Sequence, residues 1–228
     1  MSIIYEERRS DSPYVEAVIR GRTISDGAPS RPAEISWHMV FSKRNGRVYP
    51  LVVGPWSTAG VVTYTEGAEL LWIKFRLGTF MPHLPTRKLL NTETLLPEAA
   101  NQSFWLKSCA WQFPDYDNVE TFIDRLVRDD VLVCDPVVTA ALGDQLQPEA
   151  MSARTVRHRF LQATGLSQNH ILQFERAKQA AALLERGVPI LDTVHKVGYF
   201  DQSHLTRSLK RFIGKTPSQQ LVRLCEPE

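Results

Sequence analysis

Almost everything that would announce an enzyme or a membrane protein is missing from this chain. Only three of its 228 residues are cysteine. Cys109, Cys134 and Cys225 cannot all pair within one chain and have no metal-ligand spacing, which suits a reducing, cytoplasmic setting. No apolar run reaches the ~18 residues of a membrane span, and the richest stretch, 68–75, is broken by Glu69 and Lys74. Glu6 and Glu7 stand where a secretory signal would need its apolar segment. There is no Gly-x-Ser-x-Gly elbow, phosphate loop or Gly-x-Gly-x-x-Gly turn. The N-terminal histidines, His38 and His83, are single and far apart, whereas a metal-dependent β-barrel needs clustered ligands. Nothing in the residues calls for a catalytic group, a metal or another cofactor.

What is present is ordinary globular material. Hydrophobic residues make up 43% and charged residues 23%, enough for a real core and unlike a disordered, collagen-like or coiled-coil chain. The length suits two compact domains. The net charge of +2 conceals an asymmetry. Residues 1–150 hold 15 Lys and Arg against 19 Asp and Glu; residues 151–228 hold 12 against 6. A basic half of this kind points to nucleic acid or a membrane surface. A merely solvated basic face would give the same sum, so spacing has to decide.

The N-terminal half reads as strands. Tyr14–Ile19, Ser36–Phe41, Arg47–Val53, Gly60–Tyr64 and Leu70–Phe75 are short, rich in β-branched and aromatic residues, and separated by turn formers. Asn45 and Gly46 form the dipeptide best suited to a tight hairpin turn. A small barrel or sandwich-like domain is predicted over residues 1–130. Residues 98–112, with Phe104, Trp105, Leu106 and Trp111, are predicted helical, as is a second segment capped at Asp117 and Asn118 and running to about Asp130. Trp37, Trp56 and Trp72 are candidates to line a small-molecule pocket, although core packing explains them at least as well.

The remaining residues, 131–228, read as helices throughout, which makes the fold class α+β. Pro136–Leu142 fits one helix, followed by a loop over 143–148. Ser152 is placed to cap a helix ending at Gly165, with Val156, Phe160 and Leu161 as its apolar stripe. A longer helix runs from Gln168 to Arg186, with Ile171, Phe174, Ala177, Ala181 and Leu184 on one side. Pro189 begins a short helix to Val197, Gly198 makes a turn, and Asp201 caps a last long helix over 202–212. Leu205, Leu209 and Phe212 point inward there. Two short helices around a glycine turn form a helix-turn-helix, and the second offers polar and basic side chains from its first turns. Arg suits guanine, Gln suits adenine, and Lys or Arg neutralises phosphate.

At these residues the chain resembles a known family. Ser152 to Phe160, Thr164 to Ser167, Arg176 to Ala180, Gly198 to Arg207 and Leu209 to Pro217 are similar to the paired helix-turn-helix modules of AraC-type transcription regulators. The resemblance implies base-reading roles for Gln202, Ser203, His204 and Arg207 on the second reading helix, with Thr206 on the same DNA-binding face. By the same logic Arg154, Thr155, Arg157 and His158 serve the first, while the DNA-binding Lys210, with Arg211 and Lys215, meets phosphates. Leu205, Leu209, Phe160 and Gly198 are fold residues, and Phe200 is expected to pack in the turn. The first module looks truncated, since one helix rather than two precedes Ser152. His158 stands where Arg is common, and Thr193 and Val194 replace a large aliphatic followed by Ala, which is expected to widen the helix crossing.

The implied function is a sequence-specific regulator of transcription and not an enzyme. Residues 1–130 would then serve as a sensor or dimerisation domain. Double-stranded DNA is the implied partner, with RNA polymerase, a small-molecule effector and a second copy of the chain as further candidates. The competing reading is a ligand-binding or enzymatic β-domain whose basic helical appendage binds no DNA specifically. A third is an adaptor that uses the helix faces for protein contacts.

Overall fold

A computed structural model describes residues 3–100, 102–143 and 151–221. In chain order the strands begin with β1 (Ile3–Arg9), β2 (Val15–Thr23), β3 (Ser30–Arg31), β4 (His38–Arg44) and β5 (Arg47–Val53). They continue with β6 (Gly60–Val61), β7 (Glu69–Phe75) and β8 (Thr79–Phe80). A single helical turn, α1 (Thr86–Leu89), precedes β9 (Glu93–Leu95), β10 (Glu98–Ala99), β11 (Ser103–Leu106) and β12 (Cys109–Gln112). After α2 (Val119–Arg128) come β13 (Val133–Cys134) and α3 (Pro136–Leu142). The rest is helical: α4 (Ala153–Thr164), α5 (Gln168–Glu185), α6 (Ile190–Val197), α7 (Gln202–Phe212) and α8 (Pro217–Leu221). A β-rich region followed by helices is the expected α+β class.

These elements form two compact units that interleave along the sequence. One takes the chain up to Ala28, then Ser36–Pro55 and Thr63–Gln168; the other takes Pro29–Ile35, Trp56–Val62 and the chain from Asn169 on.

The first unit is built on an antiparallel sheet in the order β1-β2-β7-β4-β5-β9. The hairpin between β4 and β5 closes as predicted, with Asn45 at φ 49° and Gly46 at φ 77°. That left-handed pair matches the right-handed twist of the strands. It also sets the register, Arg44 opposite Arg47 and Met39 opposite Val52. Val18, Ile73, Met39 and Val52 consequently line up across four strands, all fully buried. Each contributes roughly 1.5–3 kcal/mol by leaving water. The sheet stays open at β1 and β9 among the described strands, rather than closing into a barrel.

The core face of this sheet is covered by α2 and by the small sheet β10-β11-β12. Here the expected helix over 98–112 is corrected to strands. Phe104 and Leu106 are buried while Trp105 between them is exposed, a period of two that a helix cannot produce. Lys107 and Ser108 take positive φ (49° and 62°) and turn the chain back, so that Phe104 pairs with Trp111. Phe104 then meets Phe41 at 5.5 Å and Trp111 meets Phe122 of α2 at 6.2 Å between ring centroids. The segment capped near Asn118 is helical as expected, although Asn118 spends its side chain accepting from the Asp115 amide instead of capping. Gly54 marks a close approach, for a Cβ there would lie 1.7 Å from the Leu89 carbonyl oxygen.

The second unit is helical except for β3 and β6, which pair with each other. Both flank segments that bond to the end of α7: Ala33 donates to the Phe212 carbonyl and Ala59 to the Arg211 carbonyl, each at 2.7 Å. Ala33 is buried with Phe174, Ala177 and Phe212. The strand expected over 60–64 is thus only two residues long, because its partner is a two-residue strand.

Candidate nucleic-acid interface

The helix-turn-helix grows from local rules. Gly198 caps α6 in the left-handed conformation (φ 75°), and the Tyr199 amide donates back to the Val194 carbonyl at 2.9 Å. Asp201 starts α7 by accepting from the His204 amide at 2.6 Å. Between these caps Tyr199 is buried, with its hydroxyl 2.9 Å from that of Ser208. The inner face is a cluster of Val194, Tyr199, Leu205 and Leu209 against Ala180, Ala181 and Leu184 of α5. Val194 is accommodated there beside two small alanines. Thr193 is fully buried next to it.

That inner packing presents the opposite side of α7 to solvent. Gln202, Ser203, His204, Arg207, Lys210 and Arg211 are all exposed, and no residue of α7 is acidic. Thr206 differs from the expectation of a free polar group, since its hydroxyl donates to the Gln202 carbonyl at 2.8 Å within the helix. Lys215 lies half-buried beyond the helix end. Arg211 sits over the Phe212 ring at 4.9 Å and reaches His170, where burial and that guanidinium lower the imidazole's affinity for a proton. Phe200 does not pack in the turn: it is 92% exposed, because Tyr199 alone fills the space beneath the turn.

On the first unit, α4 offers a comparable face. Ser152 caps it by accepting from the Thr155 amide, and Gly165 closes it at φ 72°. Arg154, Thr155, Arg157 and His158 are exposed, while Val156, Phe160 and Ala163 are buried. Leu161, expected in the apolar stripe, is 39% exposed. Arg159 is tied down differently, through two hydrogen bonds of 2.9 and 2.8 Å to Asp135. Asp135 also accepts from the Val137 amide as the cap of α3, so one buried carboxylate joins two helices. The expected loop at 143–148, and with it the truncation of the first module, falls mostly on 144–150, which lie outside the described residues.

Comparison with known proteins decides what this arrangement is. Residues 148–222 match the family model of a helix-turn-helix domain. They are an AraC-type helix-turn-helix domain. The transcriptional regulator RipA of Corynebacterium glutamicum is 35% identical over 88 residues, which cover 39% of this chain and 27% of that protein. The transcriptional regulator VirS of Mycobacterium tuberculosis is 39% identical over 80 residues, covering 35% of this chain and 22% of that protein. The chain thus spans about a quarter of the length of the curated relatives it matches. No solved structure matches it. The similarity is thus confined to the helix-turn-helix part of proteins named as transcriptional regulators.

Outside the part matched to the AraC-type family, the candidate tryptophan pocket does not assemble. Trp37 is buried, stacked on Phe75 at 3.9 Å and donating to the Thr79 carbonyl. Trp56 lies under the Arg31 guanidinium in the second unit, and Trp72 packs on the far face of the sheet with Val40 and Leu70. A cleft of about 880 Å³ in the first unit opens elsewhere and none of the three rings lines it. Phe41, Leu71 and Phe113 form its apolar floor, with Arg20, Arg22 and Lys43 among the charged groups at its rim. Sequence reading missed it because its lining joins β1, β2, β4 and β7 with residues 113–116, which only long-range packing brings together.

A second, smaller depression of about 200 Å³ lies on the helical unit. Gln173 and Arg176 of α5 form one wall, and His204, Arg207, Ser208 and Arg211 of α7 the other. The spacing of Gln173 and Arg176, three residues apart on one helix, was the available signal. Among the described residues no three His, Cys, Asp or Glu gather as a metal site, and no helix is long and apolar enough to cross a membrane.

Proposed function

We propose that this chain regulates transcription by binding DNA sequence-specifically, reading the major groove with α4 and α7. The observation that supports it best is the exposed face of α7, where Gln202, His204 and Arg207 stand within two turns of a capped helix that carries no acid. Arg and Gln supply the bidentate donors that discriminate guanine and adenine, and an acid-free face avoids repelling phosphate. On this reading the protein is not an enzyme and works in the cytoplasm, with RNA polymerase and a second copy of the chain as further partners.

The residues of the N-terminal sheet would supply control. A cleft of about 880 Å³ falls within the ~300–1,000 Å³ of small-molecule sites, and its apolar floor with a charged rim suits an amphipathic effector. Selection of bound duplexes from random DNA, followed by titration against scrambled duplex at several salt concentrations, tests the central reading. A selected site held at least ~10³-fold more tightly than scrambled DNA is expected. Equal affinity for both would sink it.

A further inference from the structure

The depression between α5 and α7 carries more charge than the reading helix alone requires. Arg176, Arg207 and Arg211 place three guanidinium groups around about 200 Å³, with His204 beside them, and no carboxylate lines the space. The nearest acid in sequence, Glu175, faces Lys178 at 3.5 Å and does not line the space. Arg176 lies 5.8 Å from the Tyr199 ring, and neither it nor Arg207 forms a hydrogen bond or ion pair with another described residue. Three cations gathered without a counter-charge repel one another, and an anion seated among them relieves that repulsion. The space is smaller than the ~300 Å³ at which small-molecule sites begin, so it suits a single tetrahedral oxyanion. Guanidinium forks match such an oxyanion two bonds at a time.

We propose that this notch seats one phosphate of the DNA backbone, and that Arg176, on the helix between the two reading segments, is a DNA-contact residue. The proposal rests on the DNA-binding reading above. Its geometric support is that His204 and Arg207 belong both to the notch and to the exposed face of α7. A duplex whose bases meet that face therefore brings a flanking phosphate past the lip of the notch. Arg176 and Arg211 then hold the phosphate from the two walls, while Arg207, shared with the exposed face of α7, keeps its base-reading role.

Salt titration of the full chain on its selected duplex separates this role from base reading. Arg176→Gln is expected to lower the slope of log affinity against log salt by about 1, and to weaken selected and scrambled duplexes by the same factor. Arg176→Lys keeps the slope. The melting temperature without DNA does not fall in either variant, because the side chain is exposed and Arg176→Gln removes one of three mutually repelling cations. An unchanged slope in Arg176→Gln overturns the proposal, and so does a loss confined to one base position. Inorganic phosphate is titrated in a second arm without DNA. If it stabilises the wild type but not Arg176→Gln, while the DNA slope is unchanged, the notch holds a free oxyanion and the DNA assignment is wrong. If the wild type binds no duplex at all, the DNA-binding reading itself fails, a result distinct from a slope that does not move.

Discussion

Arg207 and Glu120 show how differently a charged side chain can be used in this molecule. Arg207 is exposed on the acid-free face of α7, so its donors are free for a partner. Arg207→Ala is expected to cost about 1–3 kcal/mol of binding and to relax the preference at one base position. Binding curves against duplexes varied one position at a time would show it; equal weakening across all of them would move Arg207 to the phosphates. Glu120 is spent internally. Its carboxylate accepts from Arg8 at 2.7 and 2.9 Å and from Ser10 at 2.7 Å, tying β1 to α2. The Arg8 hydrogen bond is the main reason its pKa falls from 4.5 to about 2. A carboxylate depressed on folding stabilises the protein above its unfolded value and loses that contribution as pH falls through the folded one. Stability attributable to Glu120 is therefore complete above pH 4.5 and drains away towards pH 2. With both side chains 30% exposed, solvent screening limits the effect to about 1–2 kcal/mol. Denaturation of Glu120→Gln at pH 7 and pH 3 should show a smaller difference between the two than the wild type does.

At the level of elements, the caps decide where helices begin, and they were readable because a cap involves only three or four neighbouring residues. Ser152, Asp135 and Asp201 each accept from an amide two or three positions on. Asp201→Ala is expected to cost about 1 kcal/mol and to fray the first turn of α7, which holds Gln202, Ser203 and His204. Hydrogen exchange at the His204 amide would report it, faster in the variant while the amides of α5 are unchanged. Residues 98–112 were misread for the opposite reason. Phe104, Trp105, Leu106 and Trp111 satisfy a helical pattern nearly as well as a strand pattern over so short a run. The choice fell to pairing between Phe104 and Trp111 and to the aromatic cluster on Phe41, neither of which is local. Phe200 was likewise misjudged: one aromatic fits beneath the turn, and Tyr199 occupies it.

Across the whole chain, the helical unit is not made of C-terminal residues alone. Ala33 and Ala59 donate to carbonyls at the end of α7, and Ala33 joins Phe174 and Phe212 in a buried cluster. A fragment of residues 151–228 loses both bonds and uncovers Phe212, and it also strips α4 of Asp135 and its other partners in the first unit. It is expected to melt well below the full chain, by the loss of about 2–4 kcal/mol for the uncovered core and unmade bonds. Calorimetry of the fragment and the full chain checks this, and a fragment as stable as the intact chain would show that 29–35 and 56–62 contribute nothing. Charge adds a second expectation at this scale. The acidic balance of residues 1–150 opposes phosphate, so the fragment, as far as it folds, should hold scrambled duplex more tightly than the full chain does.

Local chemistry sufficed for the C-terminal helices, their caps, their glycine stops and the polar face of α7, because each depends on residues within about two turns of one another. The hairpin at Asn45 and Gly46 and the buried faces of β4, β5 and β7 follow from the same kind of rule. Long-range packing alone set the rest. It turned 98–112 into strands, drew 29–35 and 56–62 into the helical unit, separated the three tryptophans and opened the cleft. It also brought Arg176 beside Arg207 and Arg211, residues more than 30 positions away along the chain. Those outcomes depend on which surfaces meet, and meeting is decided by the shape and burial of the whole chain rather than by any window of it.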